Sequence, residues 1–193
     1  MIYELRQYTL HPGKRDTLIE LFERTFLETL EACGMLVDGH FRDLNDPDRF
    51  VWFRAFPDME RRREALTSFY GGPVWKANRD TANATMIDSD DVLLLRLVDP
   101  RRGFRVTQER PPVGATLPES RFALTIYSFD VPASAEDIAR VRRELPTATL
   151  LQTEPAENTY PALPVRTGEH VLVALMRDDE RGTLAPGARS LLR

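Results

Sequence analysis

Charged and aromatic side chains share one face on each of two predicted strands. In the first strand, residues 2–10, side chains alternate, so Glu4, Arg6 and Tyr8 lie on the same side. In the strand at 50–56, Trp52 and Arg54 do the same. Charges inside a sheet layer are costly unless they are paired or hydrated. Pairing would join Glu4 to Arg6 or Arg54 across the strands, which is a structural role.

The same residues also fit a second interpretation, in which they line a cavity closed by helices. A mostly apolar pocket with a few converging polar groups is the usual form of a small-molecule site. A small anionic or aromatic ligand would then contact Arg6, Tyr8, Trp52 and Arg54. Both interpretations stay open at the level of the sequence.

A predicted helix over residues 73–83 carries further candidates. One face of this helix would carry Trp75, either Asn78 or Arg79, and Ala82, because these positions are three or four residues apart. One interpretation packs Trp75 on the sheet and hydrogen-bonds Asn78 to the backbone. The other places both side chains in the wall of a pocket.

The three histidines indicate no metal centre. His11, His40 and His170 fall on different predicted elements and lack HxxxH or HExxH spacing. His40, within the second strand, is kept as a pocket candidate, against the alternative of a hydrogen-bonded structural histidine. No metal, cofactor or catalytic residue is predicted.

Composition narrows the class of protein. The chain has 193 residues, of which 42% are hydrophobic and 29% charged, with a net charge of -4. This balance argues against a nucleic-acid partner, which usually meets a basic face. Cys33 is the only cysteine, so no intrachain disulfide can form.

No apolar run approaches the roughly 20 residues that span a membrane, and no secretory leader is evident. We therefore expect no membrane partner and a cytoplasmic location.

The elements that must position these side chains follow a β-α-β-β-α-β order. A strand at 2–10 precedes a helix at 15–33, whose Leu18, Phe22, Phe26 and Leu30 form a buried stripe. Strands at 37–43 and 50–56 read as a hairpin. Asp58 predicts a helix start, Gly71-Gly72 separates this helix from the one at 73–83, and a strand follows at 92–97. This order is typical of a ferredoxin-like sheet with both helices on one face.

A proline-rich and arginine-rich connector, residues 99–119, leads to a second copy of the pattern. It contains a strand at 121–129, a helix begun by the capping pair Ser134 and Asp137, and strands at 147–153 and 170–176. The tail after 177 is too short for another full helix and strand. The predicted domains are therefore 1–98, a linker at 99–119, and a truncated ferredoxin-like half at 120–193. A weak internal duplication is the simplest explanation.

Several segments, in this order, resemble the NIPSNAP family. They are residues 3–8, Pro12-Gly13, the strand at 49–58, the stretch at 69–86 and the run at 158–172. The resemblance covers most of the chain outside the linker. It implies an α+β fold in which tandem ferredoxin-like halves form a dimeric α+β barrel. The duplicated pattern suggests that the halves pair within one chain, with homodimers or larger homo-oligomers as a further expectation.

The resemblance implies a fold more clearly than a reaction. Proteins of this fold include cofactor-independent monooxygenases and haem-degrading enzymes. Similar proteins often carry histidine where Asn78 stands, and asparagine is a poor iron ligand, so haem binding is not predicted. The first hypothesis is a small-molecule-binding or protein-interaction module. The alternative is a cofactor-independent monooxygenase-like enzyme acting on a small aromatic substrate, with Tyr8, Trp52, Arg54, Trp75 and Asn78 around it.

Overall fold

The first half of the chain forms an antiparallel sheet of four main strands and one short strand, with helices on one face. A computed structural model describes residues 1–104, 115 and 120–177, and the backbone of 190–192. The strands are β1 (Ile2–Leu10), β2 (Leu36–Arg42), β3 (Arg49–Phe56), β4 (Met86–Asp88) and β5 (Val92–Leu97). Their order β2-β3-β1-β5 is the predicted ferredoxin-like arrangement, and the short β4, which was not predicted, pairs with the end of β1. In the β1–β3 register Glu4 lies opposite Arg54, and Arg6 lies opposite Trp52.

The predicted first helix is interrupted by a π-helical turn. It consists of α1 (Arg15–Leu21), the π turn (Phe22–Phe26) and α2 (Leu27–Ala32). Residues four apart on an α-helix drift by about 40° around the axis, since a turn takes 3.6 residues. The wider π turn reduces this drift, so Phe22 and Phe26 both stay on the buried face. Gly34 follows the helix with a φ of +93°, in the predicted stop position.

Two helices complete the layer that covers this sheet. Asp58 accepts a hydrogen bond from the Arg61 amide at 2.8 Å, so it is the predicted N-cap of α3 (Met59–Gly71). Helix α4 (Pro73–Asn83) begins at the predicted proline. A Cβ added to Gly72 would lie 2.9 Å from the Ser68 carbonyl oxygen, whereas one added to Gly71 would meet open space. The break between the helices therefore requires glycine at only one of the two positions.

The second half repeats the strand order on the same sheet. It contains β6 (Phe122–Phe129), α5 (Ala135–Glu144), β7 (Thr149–Thr153), β8 (His170–Arg177) and β9 (Ser190–Leu192). The predicted capping box is present, because Ser134 and Asp137 exchange hydrogen bonds at the start of α5. The tail, predicted to be too short for another full helix and strand, contains the three-residue β9, which pairs with the edge of β6.

The two halves join within one chain, as the duplicated pattern suggested. Strand β5 of the first half pairs with β7 of the second, from Leu95 opposite Thr153 to Leu97 opposite Leu151. The whole forms one curled antiparallel sheet with the order β2-β3-β1-β5-β7-β8-β6-β9. Its inner face is an apolar core to which both halves contribute, for example Leu5 and Phe53 with Val173. Helices α1 to α4 cover the outer face of the first half, and α5 covers that of the second.

The beginning of the predicted linker is packed onto the sheet. Pro100–Arg102 form a short 3-10 helix, and Arg101 and Arg102 are exposed as expected for a connector. The ring of Phe104 lies 5.5 Å from Tyr3 and 5.2 Å from Phe53, so it extends the inner core. Most of the rest of the predicted linker, including its other two arginines, lies outside the described residues.

A pair of alanine substitutions tests the helix break. We expect Gly72→Ala to lower the free energy of unfolding by about 1–3 kcal/mol, because its Cβ would press on the backbone carbonyl of Ser68. Gly71→Ala, which meets no neighbour, should be neutral or slightly stabilising. Urea denaturation of both variants measures the difference, and equal effects would contradict the packing described for Gly72.

Candidate functional site

A single carboxylate pairs with three buried arginines between the first-half sheet and α3. Glu4 Oε2 accepts hydrogen bonds from Arg6 Nη1 and from Arg54 Nε, each at 2.7 Å. Glu4 Oε1 accepts one from Arg62 Nε at 2.6 Å. None of these four residues is more than 1% exposed. We call Glu4, Arg6, Arg54 and Arg62 the buried ion cluster.

The structural interpretation of the strand charges is thus correct, and the cluster has one member that was not predicted. Arg62 lies on α3, three and four residues before the buried Ala65 and Leu66 and seven before Phe69. This spacing places Arg62 on the buried face of the helix, so the helical periodicity of the sequence could have identified it as a buried residue. Arginine is rarely buried unless it is paired, which is why the prediction assigned the inner face to its apolar neighbours alone.

The charges in the cluster do not balance. One carboxylate meets three guanidinium groups, which leaves an excess of two positive charges. Burial by itself would raise the pKa of Glu4, but the charges of Arg54, Arg6 and Arg62 outweigh it and hold that pKa well below its usual range. Burial also lowers the pKa of Arg62, which shares its one carboxylate with two other cations. Glu4 is therefore ionised at every physiological pH.

Aromatic side chains connect the buried ion cluster to the space under the helices. Arg6 Nε donates a hydrogen bond to the Tyr8 hydroxyl at 2.8 Å. The Arg54 guanidinium lies 5.2 Å from the Trp52 ring centre, and that of Arg6 lies 5.8 Å from it. Among the described residues, neither Trp52 Nε1 nor Arg62 Nη2 has a hydrogen-bond partner, although both atoms are buried. Unpaired buried donors of this kind are uncommon and call for an explanation.

The second half of the chain contributes to this region through the loop between β7 and β8. Asn158 Oδ1 accepts a hydrogen bond from Arg62 Nη1 at 3.0 Å, and the Thr159 hydroxyl donates one to the Met59 carbonyl oxygen at 2.9 Å. The Tyr160 ring stacks on Tyr70 with their centres 6.1 Å apart. The loop therefore covers α3 and supplies a partner for the buried ion cluster.

A cavity of about 50 Å³ lies between the sheet and helices α1 to α4. Among the side chains of its lining residues, the polar groups are the hydroxyls of Tyr8 and Tyr70 and the indole nitrogens of Trp52 and Trp75. The residues that line this aromatic cavity are Tyr8, Leu18, Phe22, Phe26, Leu30, Phe50, Trp52, Phe69, Tyr70, Trp75, Ala82 and Met86. Tyr70, Trp75 and Met86 are half-buried, whereas the other nine are buried. Both aromatic residues of the π turn are among them, and π turns are frequent at functional sites.

The predicted pocket residues divide into three groups. Tyr8, Trp52 and Trp75 line the aromatic cavity. Arg6 and Arg54 contact the first two from behind, within the buried ion cluster. The remaining two, His40 and Asn78, are not among the lining residues. Which of the seven take part in binding stays a prediction.

His40 and Asn78 have partners of their own. The Asn78 amide donates a hydrogen bond to the Val74 carbonyl oxygen at 2.9 Å, as in the structural interpretation of that residue. His40 Nε2 lies 2.8 Å from Glu23 Oε1, and its ring packs 5.3 Å from Phe22. His40 thus packs against two lining residues, Phe22 and Phe50, without being a lining residue itself.

The described part of the chain contains no cluster of histidine, cysteine or acidic residues that could hold a metal ion. Within the same residues, no helix is both long and apolar enough to cross a membrane.

Fold and site together define an α+β protein with tandem ferredoxin-like halves and an aromatic cavity under the helices of the first half. The chain belongs to the NIPSNAP family, whose family model, described simply as NIPSNAP, matches residues 3–100. This match confirms the resemblance of the motifs in the first half. No curated protein sequence matches the chain.

Solved structures of similar proteins match about half of the chain. A NIPSNAP family protein of unknown function from Agrobacterium tumefaciens is 20% identical over 49% of this chain and 85% of its own, with a TM-score of 0.46. A second NIPSNAP family protein from that bacterium is 17% identical over 51% and 93%, with a TM-score of 0.48. An antibiotic biosynthesis monooxygenase is 22% identical over 51% and 100%, with a TM-score of 0.42. These likenesses concern the fold and assign no activity.

Removing the negative charge of the buried ion cluster should strongly destabilise the protein. We expect Glu4→Gln to lower the free energy of unfolding by about 3–5 kcal/mol, because it leaves three buried guanidinium groups without a counter-charge. Glu20→Gln is the control, since Glu20 pairs with Arg24 at an exposed position and should cost less than about 1 kcal/mol. Urea denaturation measures both, and a loss below about 1 kcal/mol for Glu4→Gln would contradict the role given to the cluster.

A second carboxylate, that of Asp38, should make the stability of the protein depend on pH. Asp38 lies at the bulge in β2, between Val37 and Gly39, and its Oδ2 is buried without a hydrogen-bond partner among the described residues. Burial, together with the charge of Glu31, raises the pKa of Asp38 to about 6. Between pH ~4 and ~6 the folded state keeps a proton that the unfolded state has released, so stability falls as the pH rises through this window.

Replacing Asp38 should remove its contribution to the pH dependence of stability. We expect Asp38→Asn to stabilise the protein at pH 7.5 by on the order of 1 kcal/mol, a value reduced for the partial exposure of Asp38. The gain should vanish below pH 4, where the wild-type side chain is already protonated. Chemical denaturation across this range provides the measurement, with the exposed Asp80→Asn as control. A gain that is constant with pH would contradict the ionisation of Asp38 as its cause.

Proposed function

We propose that this NIPSNAP-family chain binds a small, largely aromatic molecule in the aromatic cavity. The observation that carries the proposal is the composition of the cavity wall: aromatic rings dominate it, and the few polar atoms belong to tyrosine and tryptophan. A mostly apolar pocket with a small number of polar groups is the usual form of a small-molecule site. The unpartnered Trp52 Nε1 supports the proposal further, since a ligand oxygen would supply the missing acceptor.

The size of the cavity sets a condition on binding. Its volume of about 50 Å³ holds a few water molecules, whereas a cavity that binds benzene has about 150 Å³. An aromatic ligand therefore requires movement of the rim, where Tyr70, Trp75 and Met86 are half-buried. Tyr70 and Trp75 lie on opposite sides of the break at Gly72, so a small change in the angle between α3 and α4 would separate them.

The monooxygenase-like alternative requires polar groups directed at the substrate. It expects arginine or asparagine side chains inside an enclosed cavity, with donors placed where an oxyanion develops. Arg54 is instead paired with Glu4, and Asn78 is bonded to its own helix, which favours binding over catalysis. Oxygen consumption in the presence of a bound electron-rich phenol would reverse this preference.

Cytoplasmic location and self-association complete the proposal. A chain with a single cysteine suits a reducing compartment. Strand β2 lies at one end of the sheet, and no strand pairs with its outer edge among the described residues. An open edge of this kind is suited to pairing with a second copy. Native mass spectrometry of protein purified from its own host would report both the oligomeric state and any retained ligand.

Filling the aromatic cavity should prevent binding. Ala82 is 1% exposed and lines the cavity, so Ala82→Val would place two methyl groups inside it. We expect this variant to bind benzyl alcohol at least tenfold more weakly than wild type, as measured by ligand-observed NMR titration. Ala77→Val on the exposed side of the same helix is the control, because it imposes the same cost in helix propensity and should leave the affinity within twofold.

Each possible result of this comparison of affinities has a different meaning for the location of the site. Loss of affinity in Ala82→Val alone supports the aromatic cavity as the site. Equal affinities in wild type and Ala82→Val would move the site elsewhere. Absence of binding by any small aromatic probe at millimolar concentration would overturn the proposed function. Melting temperatures of both variants should be recorded, so that loss of binding is not confused with unfolding.

A further inference from the structure

The positive charge of the buried ion cluster is not matched by an equal negative charge among the described residues. The buried ion cluster carries an excess of two positive charges, and its arginines remain protonated at any physiological pH. Unpaired buried charge is costly, so a counter-charge supplied from outside the chain would stabilise the folded state. The Arg6 guanidinium lies 5.3 Å from the Tyr8 ring centre and 5.8 Å from that of Trp52, and both rings line the cavity.

Two residues of the cavity wall, Tyr8 and Trp52, carry hydrogen-bond donors and lie next to Arg6 of the buried ion cluster. The Tyr8 hydroxyl accepts a hydrogen bond from Arg6 Nε, which polarises the hydroxyl and makes it a stronger donor. Trp52 can only donate, and its Nε1 has no partner among the described residues. Both side chains line the cavity, and their rings lie 6.2 Å apart, nearly perpendicular to each other.

From this arrangement we infer that the ligand of the aromatic cavity is a small aromatic acid whose carboxylate contacts Tyr8 and Trp52. The inference rests on the proposed function and specifies its ligand class. Arg6 acts from behind as a positioning residue, because it holds the Tyr8 hydroxyl and supplies the field that favours an anion. Glu4 in turn fixes Arg6, with Arg6 Nη1 at 2.7 Å from Glu4 Oε2.

The chemistry of the wall excludes the nearest alternatives. Aromatic rings often enclose a cation, but the excess positive charge of the buried ion cluster, whose Arg6 and Arg54 contact this wall, would repel one. A phosphate carries more charge and three terminal oxygens, which a wall of phenylalanine, leucine and methionine side chains could not satisfy. A single carboxylate on an aromatic ring matches both the few donors and the apolar remainder of the cavity.

Three matched probes test the inference: benzoate, benzyl alcohol and benzylamine, which are anionic, neutral and cationic. We expect wild-type protein to bind benzoate at least tenfold more tightly than benzyl alcohol, and to bind benzylamine most weakly, by NMR titration at pH 7. Tyr8→Phe should reduce the preference for benzoate over benzyl alcohol at least fivefold. Trp52→Phe, which removes the second donor, should reduce it in the same direction.

Controls make the outcomes distinct. Tyr3→Phe removes a buried hydroxyl from the opposite face of β1 and should leave the preference unchanged. Equal affinity for benzoate and benzyl alcohol, or a preference that persists in both Tyr8→Phe and Trp52→Phe, would overturn the inference while the proposed function stands. Tightest binding of benzylamine would also overturn it. If no probe binds, the proposed function fails and the inference fails with it.

Discussion

One carboxylate buried among three arginines constrains the first half of this protein. Glu4 is the shared partner of groups from β1, β3 and α3, and it accepts hydrogen bonds from all three elements. Because removing the shared carboxylate would leave three buried arginines without a counter-charge, the cluster favours the arrangement in which these elements meet at this point. A change in strand register of one residue would turn Glu4 to the opposite face and separate it from its partners. The buried ion cluster therefore specifies register and helix position together.

The same cluster links the two halves of the chain and the candidate site. Asn158, from the second half, completes the hydrogen bonding of Arg62 Nη1, while β7 extends the sheet from β5. On the other side, Arg6 and Arg54 support the rings of Tyr8 and Trp52, which form part of the cavity wall. The polar character of the site thus depends on charges that the ligand would not touch directly. Arg6 and Arg54 are at most 1% exposed, and their guanidinium groups lie within 5.8 Å of rings that line the cavity.

Much of the fold could be predicted, because hydrophobic periodicity and turn residues are local signals. The alternation in β1, the capping residues Asp58 and Ser134 and the stop at Gly34 all correspond to observed features. The π turn was not predicted, because apolar residues spaced four apart at Leu18, Phe22, Phe26 and Leu30 fit a continuous α-helix as well. The fourth strand of the second half was missed because three residues carry too little periodicity to be recognised. Its hydrogen bonds come from β6, a partner distant in the sequence.

The candidate site was less predictable than the fold. The sequence by itself determined which strand faces carry Glu4, Arg6, Tyr8, Trp52 and Arg54, since alternation along a strand is a local property. It also determined membership of the NIPSNAP family, through motifs in a recognisable order. Only the tertiary structure decided that Arg62 and Asn158 reach the cluster, that Arg54 is occupied by Glu4, and that His40 and Asn78 stay outside the cavity wall. The physical reason is that burial, charge balance and cavity shape depend on which surfaces meet, and those surfaces belong to segments far apart in the chain.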